Sequence, residues 1–376
     1  MSHPVLYLAI TNHGYGHATR ASSVAAAIAR LDPNITLILA TTAKRSVLDA
    51  YLPEDWIHHD RGLDCGVIQA DSMTMDLPMT LEKLQGIRLG SATTIASEAN
   101  WLRAQGVGLV LGDIPPLAAP IAHAAGVPCW MMGNFGWDFI YEAWVEEYPA
   151  FQVEVDWIRE CFGQCDRLFK MPFSEPMGAF SRVTNNVTNV GLTGVSPRFS
   201  ESVMRSNFDL GDIPREKIMM LTFGGLGLNQ IPYENVLKFP DYRFICFDLT
   251  APELPNLIRV DDHFYRPIDF APLLGRLISK PGYSTFSEAC RYDVPLVSLT
   301  REGFAEAPIL VAGIQDCARH QVVETEDFFK GEWEFLRQPM LPPRTEMRLA
   351  KDGTETIARA VVEYFANPSS APQFQG

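Results

Sequence analysis

Short apolar runs alternate with helix-spaced stretches along the whole chain, and the alternation starts afresh near its middle. Pro4 to Ile10 is apolar throughout, which predicts a strand buried on both faces in a parallel sheet. Thr11 to His17 is a glycine-rich turn, Ala18 to Leu31 an alanine-rich helix, and Ile35 to Thr41 a second strand. Trp56 to His59 gives a short third strand, whereas residues 60–78 have no periodicity and read as loop. Thr80 to Gln105 has helical spacing, with Gly86 and Gly90 as its weak points. Val107 to Leu111 is a strand ending at Gly112-Asp113, and Pro115 to Ala125 a helix with proline in its first turn. Pro128 to Met132 is a strand running into Gly133 to Asp138. Helices are expected over 138–148 and 152–163, and edge strands at Leu168 to Lys170 and Val187 to Val190.

Pro, Gly and Ser accumulate over 171–178 and 191–214, and the second run is the expected linker. Beyond it Lys217 to Thr222 is a strand entering Phe223-Gly224-Gly225-Leu226-Gly227. Strands are expected at Arg243 to Phe247, Leu257 to Val260, Leu277-Ile278 and Leu296 to Leu299, and helices at Phe270 to Gly275 and Pro308 to Asp316. Thr354 to Phe365 is an amphipathic helix. The expected fold is therefore α/β, with two doubly wound Rossmann-like domains facing across a cleft. The expected boundaries are 1–190 for the first domain, 191–214 for the linker and 215–352 for the second domain. A helix at 353–366 would pack back on the first domain, followed by a tail at 367–376.

Length and composition narrow the chemistry. At 376 residues two domains are expected. A net charge of −14 without any Lys/Arg run argues against nucleic acid as a partner, so a phosphate site must be built locally. Seven scattered cysteines suit a reducing compartment rather than a disulfide framework. There is no secretory signal and no stretch of about 20 apolar residues, so the expectation is a cytoplasmic protein with no transmembrane segment. No Asp-x-Asp motif and no His/Glu cluster is present, and no metal is expected.

Gly14-Tyr15-Gly16-His17-Ala18-Thr19 lacks the third glycine of a dinucleotide fingerprint, and no acidic residue follows the second strand, which argues against NAD or FAD. The turn instead presents His17 as a candidate base, with His13 a weaker one. Asp113, at the end of a strand of the same sheet, is placed to fix the His17 tautomer. Gly16, Asn134, Trp137 and Asp138 are candidates for the acceptor side, although the aromatic cluster from Phe135 to Trp144 is mostly expected to be core. In the second half, Gly224, Gly225 and Gly227 let backbone N–H groups approach a diphosphate, together with Lys280, Gly282, Tyr283, Ser284 and Thr285 at a strand-to-helix junction. Ser284 and Thr285 are the expected helix caps, with Glu288 one turn in. Arg301 and Glu306 follow the next strand, and Glu306 suits sugar hydroxyls or a helix cap.

This constellation resembles the two-domain GT-B glycosyltransferases. The His17 turn is similar to that of the bacterial cell-wall lipid-linked N-acetylglucosaminyltransferase, and Lys280 to Glu288 with Phe304-Ala305-Glu306 resembles the signature of plant UDP-sugar transferases. That resemblance implies that Glu288 holds the donor ribose, Gly282 to Thr285 the diphosphate and Glu306 the donor sugar. Gly14 to Arg20, Asn134 to Tyr141 and Gly282 to Ala289 resemble, in order, the glycosyltransferase-like N-terminal half of plant L-arabinokinase. Since the chain ends at Gly376 without a sugar-kinase half, kinase activity is not expected. The expected activity is metal-independent, inverting transfer from a nucleotide sugar, a UDP-sugar, to a hydroxyl-bearing small-molecule or lipid acceptor, with closure about 191–214. No cofactor is expected beyond that co-substrate. The alternatives are a non-catalytic nucleotide-sugar-binding regulatory protein and a UDP-sugar epimerase of the same fold.

Overall fold

The computed structural model describes residues 3–69, 73–183, 186–224, 231–261 and 264–367. The chain divides into two compact units: Met1–Ile68, Asp76–Thr193 and Ala350–Gly376 form the first, and Gln69–Met75 with Gly194–Leu349 the second.

The first unit runs β1 (Val5–Ile10), α1 (Gly14–Leu31), β2 (Thr36–Ala40), α2 (Arg45–Asp49), β3 (Ile57–His59), α3 (Leu77–Gln105), β4 (Leu109–Asp113), α4 (Ala118–Ala125), β5 (Cys129–Gly133), α5 (Trp137–Glu142), α6 (Phe151–Phe162), β6 (Arg167–Lys170) and β7 (Val187–Asn189). Its seven strands are parallel in the order β3-β2-β1-β4-β5-β6-β7. Leu6 to Ile10 and Leu109 to Leu111 are fully buried, as strands covered on both faces must be. The strand order reverses between β1 and β4, which pair with Ile10 opposite Asp113. That switch point is where open α/β sheets leave a crevice at the carboxyl ends of their strands.

The second unit runs α7 (Glu201–Asn207), β8 (Ile218–Leu221), β9 (Arg243–Cys246), β10 (Leu257–Arg259), β11 (Arg276–Ser279), α8 (Tyr283–Arg291), β12 (Leu296–Leu299), α9 (Glu306–Cys317), β13 (His320–Val323) and α10 (Thr325–Lys330). Its six parallel strands follow the order β10-β9-β8-β11-β12-β13, so the switch point lies between β8 and β11. The chain then re-enters the first unit, where α11 (Gly353–Ala366) packs on α1. Tyr364 donates its hydroxyl to Gly108 O at 3.1 Å and meets Trp130 edge-on.

Several elements differ from the sequence expectations. α1 begins at Gly14 rather than Ala18, because Gly14 and Gly16 form its first turn instead of a separate loop. β6 is interior, paired with both β5 and β7, so of these two strands β7 alone lies at an edge. The helix expected over 138–148 stops at Glu142. Residues 191–214 contain α7, whose N-cap Ser200 accepts from Val203 N, and which packs on the 3-10 helix Pro267–Leu273. The stretch 60–68, without periodicity, is held by side chains described below.

Candidate active site

The ends of β1 and β4 lie side by side, with Thr11 N donating to Asp113 O at 3.3 Å. α1 starts four residues after β1, so His17 is in its first turns and Arg20 follows on the same face, three residues on. Both side chains converge on Asp113, which is fully buried at the end of β4. His17 Nδ1 lies 2.8 Å from Asp113 Oδ1, and the ring is 8% exposed. Arg20 donates from Nε to Asp113 Oδ2 at 2.8 Å and also engages Oδ1 through Nη2. Its Nη1 donates to Asn134 Oδ1 at 3.0 Å. Burial works to raise the Asp113 carboxyl, but the charges and hydrogen bonds of Arg20 and His17 outweigh it and hold the group below the usual carboxylate range.

The ring of His17 meets Phe135 edge-on, with centroids 5.8 Å apart. Trp137 is fully buried and donates its indole N–H to Thr11 Oγ1 at 2.9 Å, so it offers no exposed face for an acceptor to stack on. Asp138 is likewise buried and receives Arg159 Nε at 3.2 Å. Of the acceptor candidates, Asn134 is joined to the His17 cluster through Arg20, and Gly16 is exposed one residue before His17.

The aperiodic stretch around Asp64 closes over the β1 turn. Asp64 accepts from Asn12 N at 2.8 Å and from the Thr11 hydroxyl. Val67 N donates to His13 Nδ1 at 3.2 Å, which fixes His13 as an acceptor at that nitrogen. Gly66, at φ +54°, passes so close that a Cβ there would sit 2.5 Å from His13 Cβ. Burial raises the Asp64 carboxyl to about 6 against the pull of Asn12, Thr11 and the nearby His17. Arg20 and Asp64 thus join the site without having been singled out from the sequence. The spacing of Arg20 three residues after His17 was the available signal for the first; nothing in the sequence marks the second.

In the second unit the loop after β8 and the end of β11 converge. Thr222 N donates to Ile278 O at 3.0 Å, and Gly224, at φ +80°, lies beside the Lys280 side chain. Gly225 and Gly227 lie outside the described residues. α8 starts at Tyr283 with Gly282 as its N-cap in extended conformation, a residue with no side chain to cap the helix. Ser284 and Thr285 fall inside the first turn and are not the cap that the sequence suggested. Glu288 is half-buried on α8, where its Oε1 accepts from Val195 N at 3.5 Å. Gly194, at φ +143°, allows this approach, since a Cβ there would be 2.6 Å from Glu288 Cγ. Burial lifts the Glu288 carboxyl to about 7, opposed by Val195 N–H, Arg266 and Arg291. Arg301 and Glu306, both buried, flank the turn from β12 into α9, where Glu306 is the first helical residue.

Among the described residues no three His, Cys, Asp or Glu side chains cluster as metal ligands, and no helix is long and apolar enough to cross a membrane.

No family model matches the chain. It is 29% identical over 337 residues to L-arabinokinase of Arabidopsis thaliana, a match covering 88% of this chain and 31% of that protein. The chain thus spans about a third of the length of the curated relative it matches. Among solved structures, it is similar to Phytolacca americana UGT2 complexed with UDP-2-fluoro-glucose and pterostilbene, with TM-score 0.60, 14% identity and coverage of 98% and 96% of the two chains. CalG4, the calicheamicin glycosyltransferase, gives TM-score 0.59 at 14% identity over 99% and 100%. A UDP-N-acetylglucosamine 2-epimerase from Listeria monocytogenes, so described without proof of activity, gives 0.55 at 12% over 98% and 97%. The chain therefore has the two-sheet α/β fold of the GT-B glycosyltransferases and, over most of its length, is similar in sequence to a part of L-arabinokinase.

Proposed function

We propose that this protein is an inverting, metal-independent glycosyltransferase that moves a sugar from a UDP-sugar to a hydroxyl acceptor. The observation that carries this assignment is the pairing of His17 Nδ1 with the buried Asp113 carboxylate at the β1/β4 switch point. With Nδ1–H turned to the carboxylate, Nε2 is the proton-accepting nitrogen, and Asp113 stabilises the imidazolium formed when the acceptor hydroxyl gives up its proton. The acceptor oxygen attacks the anomeric carbon as the bond to the diphosphate breaks. The N-terminus of α8, with Gly224 and Lys280, supplies N–H groups and positive charge for the leaving diphosphate. Glu288 accepts from the ribose hydroxyls and Glu306 from those of the donor sugar.

The test is to incubate the purified chain with UDP-sugars and a panel of hydroxyl acceptors and to identify glycosides by mass spectrometry. His17→Ala should lower turnover by about 10²–10⁴-fold while leaving the dissociation constant of UDP unchanged. Full turnover in His17→Ala overturns the base assignment, and conversion of a UDP-sugar without acceptor identifies an epimerase instead.

A further inference from the structure

Arg301 follows β12 by two residues and is 8% exposed, yet its Nε and Nη2 atoms have no hydrogen-bond partner among the described residues. Those two atoms carry the parallel N–H bonds along one edge of the guanidinium, the edge that fits both oxygens of a planar carboxylate. The flat cation lies 4.0 Å from the centroid of the Phe304 ring, which supports one face of it. The charge of Glu306 acts on it from the start of α9, but this does not offset burial, which draws the guanidinium down to about 10. A buried cation with an unfilled edge is costly unless a ligand completes it.

Its place in the sheet separates this edge from the diphosphate site. The diphosphate elements, Gly224, Lys280 and the α8 N-terminus, follow β8 and β11, whereas Arg301 follows β12, the next strand outward. Glu306, beside it, is the candidate for the donor sugar. Resting on the function proposed above, we propose that the donor sugar is itself acidic: a nucleotide-linked uronic acid whose ring carboxylate is held side-on by Nε and Nη2 of Arg301. A neutral hexose would leave that edge unpaired.

The test is calorimetric titration of the full chain with UDP, UDP-glucose and UDP-glucuronate. Wild type should bind UDP-glucuronate about tenfold or more tightly than UDP-glucose. Arg301→Met should bring that ratio close to one and leave UDP binding unchanged. Arg301→Lys keeps the charge without the paired edge and should lose most of the preference, so it carries the test if the Met variant does not fold. Equal affinity of wild type for the two sugars, with UDP bound, overturns the inference and leaves the function standing. Loss of affinity for UDP itself in Arg301→Met puts the guanidinium on the diphosphate and also overturns it. Failure of any uridine nucleotide to bind overturns the proposed function, and this inference with it.

Discussion

Arg20 and His17 share one carboxylate: Arg20 Nε is 2.8 Å from Asp113 Oδ2, and His17 Nδ1 is 2.8 Å from Oδ1. The group that orients the histidine is thus already neutralised by a buried guanidinium. Asp113→Asn should therefore strand the Arg20 charge and lower stability by about 3–5 kcal/mol, the cost of removing one partner of a buried pair. His17→Ala, which leaves that pair intact, should cost only about 1–2 kcal/mol in lost ring contacts. Chemical unfolding of the two variants checks this, and an Asp113→Asn protein as stable as His17→Ala would contradict it.

Glu288 gives the proposed donor site a pH dependence. Its carboxyl is raised from 4.5 to about 7, and under the proposed function ribose hydroxyls would donate to its ionised form. UDP affinity should thus rise with pH between about 6 and 8, by at most about tenfold per unit, and then level off. Glu288→Gln should remove this component, leaving only the titration of the nucleotide. Titrations of both proteins across this range provide the comparison, and identical profiles would remove Glu288 from the ribose.

Asp64 makes a separate contribution on the acid side. An acid whose folded value is raised from 3.8 to about 6 binds more protons when folded than when unfolded between those values. Its contribution to stability therefore falls as pH rises from about 4 to about 6, by up to about 1.4 kcal/mol per unit, and is constant above. Unfolding free energies of wild type and Asp64→Asn should diverge in slope across that window and run parallel above pH 7.

Gly194→Ala places a methyl group 2.6 Å from Glu288 Cγ on backbone at φ +143°. It should cost about 1–3 kcal/mol and also weaken UDP binding, because Glu288 must move. A variant with unchanged stability and UDP affinity would show that the 194–195 turn does not hold Glu288.

The positions of the strands were largely legible because strands covered on both faces carry uninterrupted apolar runs, as in Val5 to Ile10. The convergence of His17 and Asp113 was legible for the same reason: each follows such a run at its carboxyl end. Arg20 was not, since an arginine in an alanine-rich helix reads as a solvent-facing residue unless its buried carboxylate partner, 93 positions away, is known. Asp64 binds the backbone N–H of Asn12, and such a contact leaves no periodic trace in sequence. α7 was hidden by proline and glycine on either side, although Ser200 before Glu201 carried a capping signal. β13 begins His320-Gln321, polar residues that mask a strand paired to β12.

The return of the chain at Ala350 makes the first unit a host and most of the second a guest. Leu192 N donates to Ala350 O at 2.7 Å and Gly353 N to Leu192 O at 3.1 Å, so the departing and returning chain ends are neighbours. A fragment cut after Thr193 would lose α11 and bare the α1 face that it covers, the helix that carries His17 and Arg20. The excision that respects this topology instead splices residue 193 to residue 350 through a short polar bridge, keeping α11 in place. The host would then be a linear chain with its own sheet and α11 in place, able to show the His17–Asp113–Arg20 cluster in isolation from the second sheet.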